Sequence, residues 1–479
     1  MRPSPRRRVL VLASRFPPDV GPGPTRLAKT VRYLQDFDWS PVVISDGSAA
    51  AVDDSQRASH QRHPRTVADR CAGAEVHHVP HRGPACEPNG LTPLFRALGR
   101  LSAPFGRDAG DWKHAAQWRG ERWRRRLALP DRGIWRTAAV QRLAARLHRD
   151  HRFDALFSSG MPFSDHMIAL ALYHRWRIPW VAEFRDPWVE YAHAPQWRGP
   201  CTRWLTRAME ALVVRHARFV VCVSDAMCDR FRRRYPAEPR AKFVTVWNGF
   251  DPADFEEPTA RDTEPPAVNS VDESLNGMLR GDRFSLLHAG SLYAGRRPGP
   301  LLEAVRRFIA SGPRQRRATR VILAGRLGEF TDEVRHARES IPLAMPGDLP
   351  QGDVLACMRR AAVNVLILAD GPGTLGDVST KVFEYLAAGR PILAIVPPAG
   401  QAARLLRQSS DVWQAAPNDV EGIERALHQL FDRWRNGRTT ARRDGAALHQ
   451  WTRRYQTGRL ARVLEAAASR RAAPQGGQR

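Results

Sequence analysis

A chain of 479 residues has room for two or three domains of ordinary size. Hydrophobic residues make up 43 %, enough for a large buried core, and no apolar run approaches the roughly 18 residues of a membrane-spanning helix. The formal net charge is +26, carried mostly by arginine, and it admits three readings: nucleic-acid binding, attraction to an anionic membrane face, or an arginine-rich composition spread over solvated surfaces.

The start, MRPSPRRR followed by VLVLA, has an apolar run too short for a secretory leader and reads as a first strand over residues 8–13. A loop over 14–24 carries Gly21 and Gly23 and leads into a helix over 25–35 that contains Arg26. A strand over 41–44 completes one β-loop-α-β unit. Residues 46–110 read as irregular. Residues 111–150 read as helical, with Trp112, Trp118, Trp123 and Trp135 among many arginines, as in a surface-lying amphipathic segment or a buried tryptophan face. Strands over 154–158, 180–183, 219–223 and 243–246 then alternate with helices over 164–176, 201–215 and 226–234.

The polar stretch 251–281 reads as a linker. A second alternating set follows, with strands over 284–288, 320–324, 341–344, 363–368 and 392–395. Its helices are expected over 300–309, 331–338, 352–361, 380–388, 401–407 and 420–434, and a last helix over 442–468. Strands alternating with helices predict parallel sheets covered on both faces. The class is therefore α/β, with two doubly wound Rossmann-like domains facing a central cleft. The divisions expected are 1–250, a linker over 251–281, a second domain over 282–445, a helix over 446–470 and a disordered tail over 471–479. Ligands of such sheets sit beyond the carboxyl ends of the strands.

The richest motif spans 376–393, GDVSTKVFEYLAAGRPIL. The glycine-rich loop GPGTLGD precedes a helix whose first turn holds Ser379, Thr380 and Lys381. A helix start offers free N–H groups and the positive end of a dipole, so it suits an anion. Lys381 adds a point charge, and Glu384, one turn on, can accept from ribose hydroxyls. An ordinary capped helix before a strand would carry the same glycine and proline. The second motif, HAGSLYAGRRP over 288–298, ends a strand at Gly290 and continues through Ser291 to Arg296 and Arg297, whose guanidiniums suit a diphosphate or plain solvent. The loop with Gly21, Gly23 and Arg26 lacks the GxGxxG of a nicotinamide site and reads as an acceptor-side loop or a connector. Arg185 and Asp186, in EFRDPW, end another strand, and His166 follows the strand-end loop SSGMPF. No HExxH, zinc-type cluster, P-loop or GxSxG motif occurs, and no CxxC pair occurs among the six cysteines, which read as reduced.

Over residues 8–460 the chain resembles the family 4 retaining glycosyltransferases, which have the two-domain GT-B fold. The resemblance rests, in order, on RVLVLASRFPPDVGPGPTR, RDPW, VCVSDAM, VWNGFDPADF, HAGSLYAGR and STKVFEYLAAGRPIL. It implies that Glu384 is the second Glu of the family's paired-Glu motif and holds the donor ribose. The first Glu of that pair would fall at Gly376, and Asp377 lies one position off. Arg296 falls where the family has a diphosphate-binding Lys or Arg. Ser291 stands where the commoner motif has Arg, which leaves Lys381 to supply the second positive charge.

The activity implied is transfer of a sugar from a nucleoside-diphosphate sugar to a saccharide or lipid-linked acceptor, with retention, in surface polysaccharide or glycoconjugate synthesis. Arg296 and Lys381 carry the chemistry in this reading. Gly290, Ser291, Ser379, Thr380 and Glu384 complete the donor side. Gly21, Gly23, Arg26, Arg185, Asp186 and His166 face the acceptor. No metal, other cofactor or nucleic acid is expected. The location expected is the cytoplasm, with peripheral association at the inner face of the cell membrane as an open extension. The alternatives are a nucleotide-sugar epimerase of the same fold and a non-enzymatic basic protein binding nucleic acid or membrane. The last helix would cross back to the first domain.

Overall fold

The computed structural model describes residues 6–19, 21–46, 73–79, 129–190, 199–256, 273–371, 374–441 and 445–469. Trp112, Trp118, Trp123 and the expected tail lie outside them. The first sheet has seven parallel strands: β1 Arg7–Leu12, β2 Trp39–Ser45, β3 Glu75–His78, β4 Ala155–Gly160, β5 Trp180–Phe184, β6 Phe219–Cys222 and β7 Phe243–Thr245. Their order across the sheet is β3-β2-β1-β4-β5-β6-β7. The second sheet has six: β8 Phe284–Ala289, β9 Thr319–Ala324, β10 Leu343–Gly347, β11 Val363–Ile367, β12 Ile392–Ile395 and β13 Val412–Ala415. They run β10-β9-β8-β11-β12-β13, also parallel.

The apolar runs explain the sheets. Successive side chains of a strand point to opposite faces. Val9 and Val11 of β1 enter one core and Leu10 and Leu12 the other, so both faces need cover. Helices give that cover on each side, as right-handed crossovers between parallel strands require. Each sheet reverses its strand order once, between β1 and β4 in the first and between β8 and β11 in the second. Crevices open at such switch points.

Several elements depart from the sequence expectation. The first helix is Pro22–Leu34 and starts three residues early, because proline is tolerated in a first turn whose N–H groups have no helical partner. Strands β3 and β13, unforeseen, are half-exposed edge strands with weak apolar patterns. Strand β10 lies later than expected and has a register shift between Ala344 and Gly347. The last helical stretch is two pieces, Gly445–His449 and Arg453–Ser469.

Two chain crossings join the domains. Phe250 N–H donates to Trp451 O at 3.0 Å, and Arg453 N–H donates to Phe250 O at 2.7 Å. Gly249 makes this approach possible. Its φ is +65°, and a Cβ there would lie 2.5 Å from Trp451 O. Trp247, Phe383 and Trp451 pack together beside the crossings. The helix Arg453–Ser469 then buries Leu460, Ala461, Leu464 and Ala467 in the core that holds Val9, Val11, Leu27 and Val31 of the first domain.

Candidate functional site

The residues expected on the donor side gather at the switch point of the second sheet. Gly290 and Ser291 follow β8. Gly290 N–H donates to Ala324 O at 2.8 Å, and a Cβ on Gly325 would lie 2.6 Å from the Gly290 carbonyl. The two strand ends therefore pack backbone to backbone. Arg296 lies 4.6 Å over the ring of Tyr293, which holds its guanidinium beside the strand end.

The helix Thr380–Ala387 comes from the loop after β11. Ser379 caps it, its hydroxyl accepting from Lys381 N–H at 3.3 Å. Lys381 Nζ donates to Glu384 Oε2 at 2.8 Å, so the expected phosphate-binding cation and ribose-binding carboxylate face each other across one turn. Tyr385 Oη accepts from Ala289 N–H at 2.8 Å and donates to Val365 O at 3.3 Å, tying this helix to the end of β8 and the middle of β11. Burial pushes the Tyr385 phenol far up, so it stays a neutral strut. His288, buried beside it, pairs Nδ1 with Val365 O at 3.0 Å. Burial, with the charges of Arg296 and Lys381 adding to it, holds its pKa down to about 4. His288 is thus a neutral buried support beneath the positive groups.

Gly376, where the family pattern has its first Glu, is packed against the first domain. Ser224 Oγ donates to Gly376 O at 3.0 Å. A Cβ at Gly376 would lie 3.3 Å from the Ala226 Cβ and 3.2 Å from Arg230 Nη2, tighter than ordinary contact. Asn248 Nδ2 donates to Val378 O at 3.3 Å in the same seam.

The residues expected on the acceptor side gather at the switch point of the first sheet. Gly21 precedes the helix Pro22–Leu34, and Gly23 lies in its first turn. A Cβ at Gly23 would overlap Arg185 Nη1. Arg185 Nε donates to Gly160 O at 3.1 Å and Nη2 to Met161 O, so it spans the ends of β4 and β5, with Asp186 beside it. Arg26 is turned inward, where it pairs with Glu183 at 2.8 Å while Ser159 Oγ donates to the other Glu183 oxygen at 2.7 Å. His166 is sealed among Phe163, Phe184 and Trp188, with Nδ1 2.8 Å from Ser158 Oγ. Burial holds its pKa down to about 3. Arg26 and His166 therefore reach a ligand only through their neighbours.

Sequence reasoning missed a buried cluster at the end of β1. Asp165 accepts from Ser14 N–H and from Ser14 Oγ, both at 2.6 Å, and Arg136 Nη1 donates to Ser14 Oγ at 2.5 Å. Burial raises the Asp165 pKa to about 6. Nothing in the local sequence marks these three, since 122 and 151 residues separate Ser14 from Arg136 and from Asp165. Among the described residues, no group of three or more His, Cys, Asp or Glu side chains is placed to hold a metal ion.

Two facing parallel sheets with this strand order match known folds over nearly the whole chain. Sucrose-phosphate synthase from Thermosynechococcus elongatus superposes with a TM-score of 0.59 at 13 % identity, over 96 % of this chain and 100 % of that one. The fold is GT-B.

An α,α-trehalose-phosphate synthase (UDP-forming) from Burkholderia xenovorans shares this GT-B fold, with a TM-score of 0.58 at 12 % identity over 96 % and 100 % of the two chains. So does a putative UDP-N-acetylglucosamine 2-epimerase from Listeria monocytogenes, with a TM-score of 0.53 at 10 % identity over 97 % of each. Residues 106–254 match the model of Glycosyltransferase Family 4. The GT-B chain is thus similar to family 4 glycosyltransferases in the segment that carries His166, Arg185 and Asp186. No curated protein matches it.

Proposed function

We propose that the protein is a glycosyltransferase that moves a sugar from a nucleoside diphosphate to a saccharide or lipid-linked acceptor, with retention at the anomeric carbon. One observation carries the reading: Arg296, Lys381, Glu384 and the N-terminus of the helix Thr380–Ala387 converge at the β8/β11 switch point. The family match over 106–254 supports it.

In this reading the departing diphosphate is the group that needs stabilisation. Arg296, Lys381 and the amides at the helix start supply positive charge that is already in place before the sugar–phosphate bond breaks. When a donor binds, Lys381 turns from Glu384 to phosphate, and the freed Glu384 carboxylate accepts from the ribose hydroxyls. The pre-existing ion pair keeps both groups in reach without an uncompensated buried carboxylate. The reading uses no metal.

Calorimetric titration with nucleoside diphosphates and their sugars tests it. Loss of hydrogen bonds to a charged group costs about 1.5–3 kcal/mol, so Glu384→Ala is expected to bind the preferred nucleotide about 10- to 100-fold more weakly. Full affinity in the variant would remove Glu384 from the site, and a loss of activity on chelation would remove the metal-free route. Isomerisation of the donor with no acceptor present would instead establish an epimerase.

A further inference from the structure

The helix Pro200–His216 leaves one face uncovered by the rest of the described fold. Its inner face buries Thr206, Glu210, Val213 and Val214. On its outer face Trp204, Ala208 and Leu212 recur every fourth residue and so stand in one row. Trp204 is 66 % exposed and Leu212 44 %. Arg203, Arg207 and Arg215, all exposed, flank that row.

A large tryptophan in a row of apolar side chains, left mostly uncovered by the described residues, exposes apolar surface to water at a cost. With arginines beside it, the same row fits a surface that is apolar below and anionic above. The helix Ser164–Trp176 touches both this helix and the turn Arg132–Arg136, and that turn presents Trp135, 43 % exposed, from the same layer. Among the described residues no helix is long and apolar enough to cross a membrane. The helix follows β5, so its first turns start on the side of the sheet where Arg185 and Asp186 lie.

We propose that this face seats the protein on an anionic phospholipid surface, with Trp204 and Leu212 in the interfacial layer and the three arginines on headgroup phosphates. The inference deepens the reading above, on which it rests for the lipid-linked acceptor. A seat beside the acceptor-side loops would bring such an acceptor to the cleft without removing its lipid from the bilayer.

Co-sedimentation with vesicles of phosphatidylcholine alone, and of phosphatidylcholine with phosphatidylglycerol, tests the seat. Binding is expected only to the anionic vesicles and is expected to weaken as salt rises. Trp204→Ala/Leu212→Ala alters no charge, so it separates this face from the general +26 field. It is expected to lower vesicle affinity at least about ten-fold. Arg203→Gln/Arg207→Gln is expected to lower it too and to flatten the salt dependence. Unchanged binding by the Trp204/Leu212 variant overturns the proposal, as does failure to bind anionic vesicles. A dimer in gel filtration that the same variant dissolves would assign the face to a second copy of the chain. Nucleoside-diphosphate thermal shifts on the same samples keep the two readings apart. An intact shift in the variant shows the fold is kept. No shift in the wild type, with vesicle binding present, would remove the transferase reading alone.

Discussion

Lys381 and Glu384 show how one turn of helix keeps opposite charges available for a ligand. Asp165 shows the opposite case, a carboxyl that burial makes reluctant to ionise. Its pKa is about 6 in the fold against an ordinary 3.8. Between those values the folded state keeps a proton that the unfolded state has lost, so this group's contribution to stability falls as pH rises from about 4 to 6. His166 acts in the other direction. Its pKa is held down to about 3, so the unfolded chain takes up a proton first as pH falls below 6.5. Stability from His166 is therefore lost toward acid. The Asp165 share is isolated by Asp165→Asn, whose amide oxygen still accepts from Ser14. The wild-type minus variant stability is expected to fall by roughly 2 kcal/mol between pH 4 and 6 in urea titrations. Parallel curves would show that Asp165 is ionised throughout.

Elements were legible in the sequence where burial on both faces left unbroken apolar runs, as in β1, β8 and β11. Edge strands were not, because β3 is half-exposed with two histidines and β13 is short and only partly buried, with Gln414 exposed. The helix Thr380–Ala387 was legible from Ser379 to Gly389, since its cap and stop are local in sequence. What holds its neighbouring loop was not, because Ser224 and Gly376 lie 152 residues apart. Position 376 belongs to that contact between elements. A side chain there must displace Ala226 or Arg230. Gly376→Val is expected to weaken the seam by about 1–3 kcal/mol, the usual range for overpacking. Faster amide exchange in the loop 374–379 and in the helix Asp225–Arg234 is the readout. Unchanged exchange in both would mean that the loop yields without cost.

At the scale of the whole molecule, the last helix belongs to the far domain by sequence and to the first by packing. Leu464 is fully buried against the first domain's core. Leu464→Ala is expected to cost about 2–5 kcal/mol in thermal or urea unfolding, with the first domain losing its cover first. A cost below about 1 kcal/mol would mean that the helix rests on the domain without completing its core.

The two crossings at Phe250 and Thr452 run side by side and are joined by hydrogen bonds. A single strand between two bodies is a swivel and allows both twist and bend. Two strands stitched together are a door hinge with one preferred axis. Any motion that kept those hydrogen bonds would swing the second domain along one arc. Arg296 and Glu384 would then return to the same alignment with Arg185 at every closure, however many times the cleft had opened.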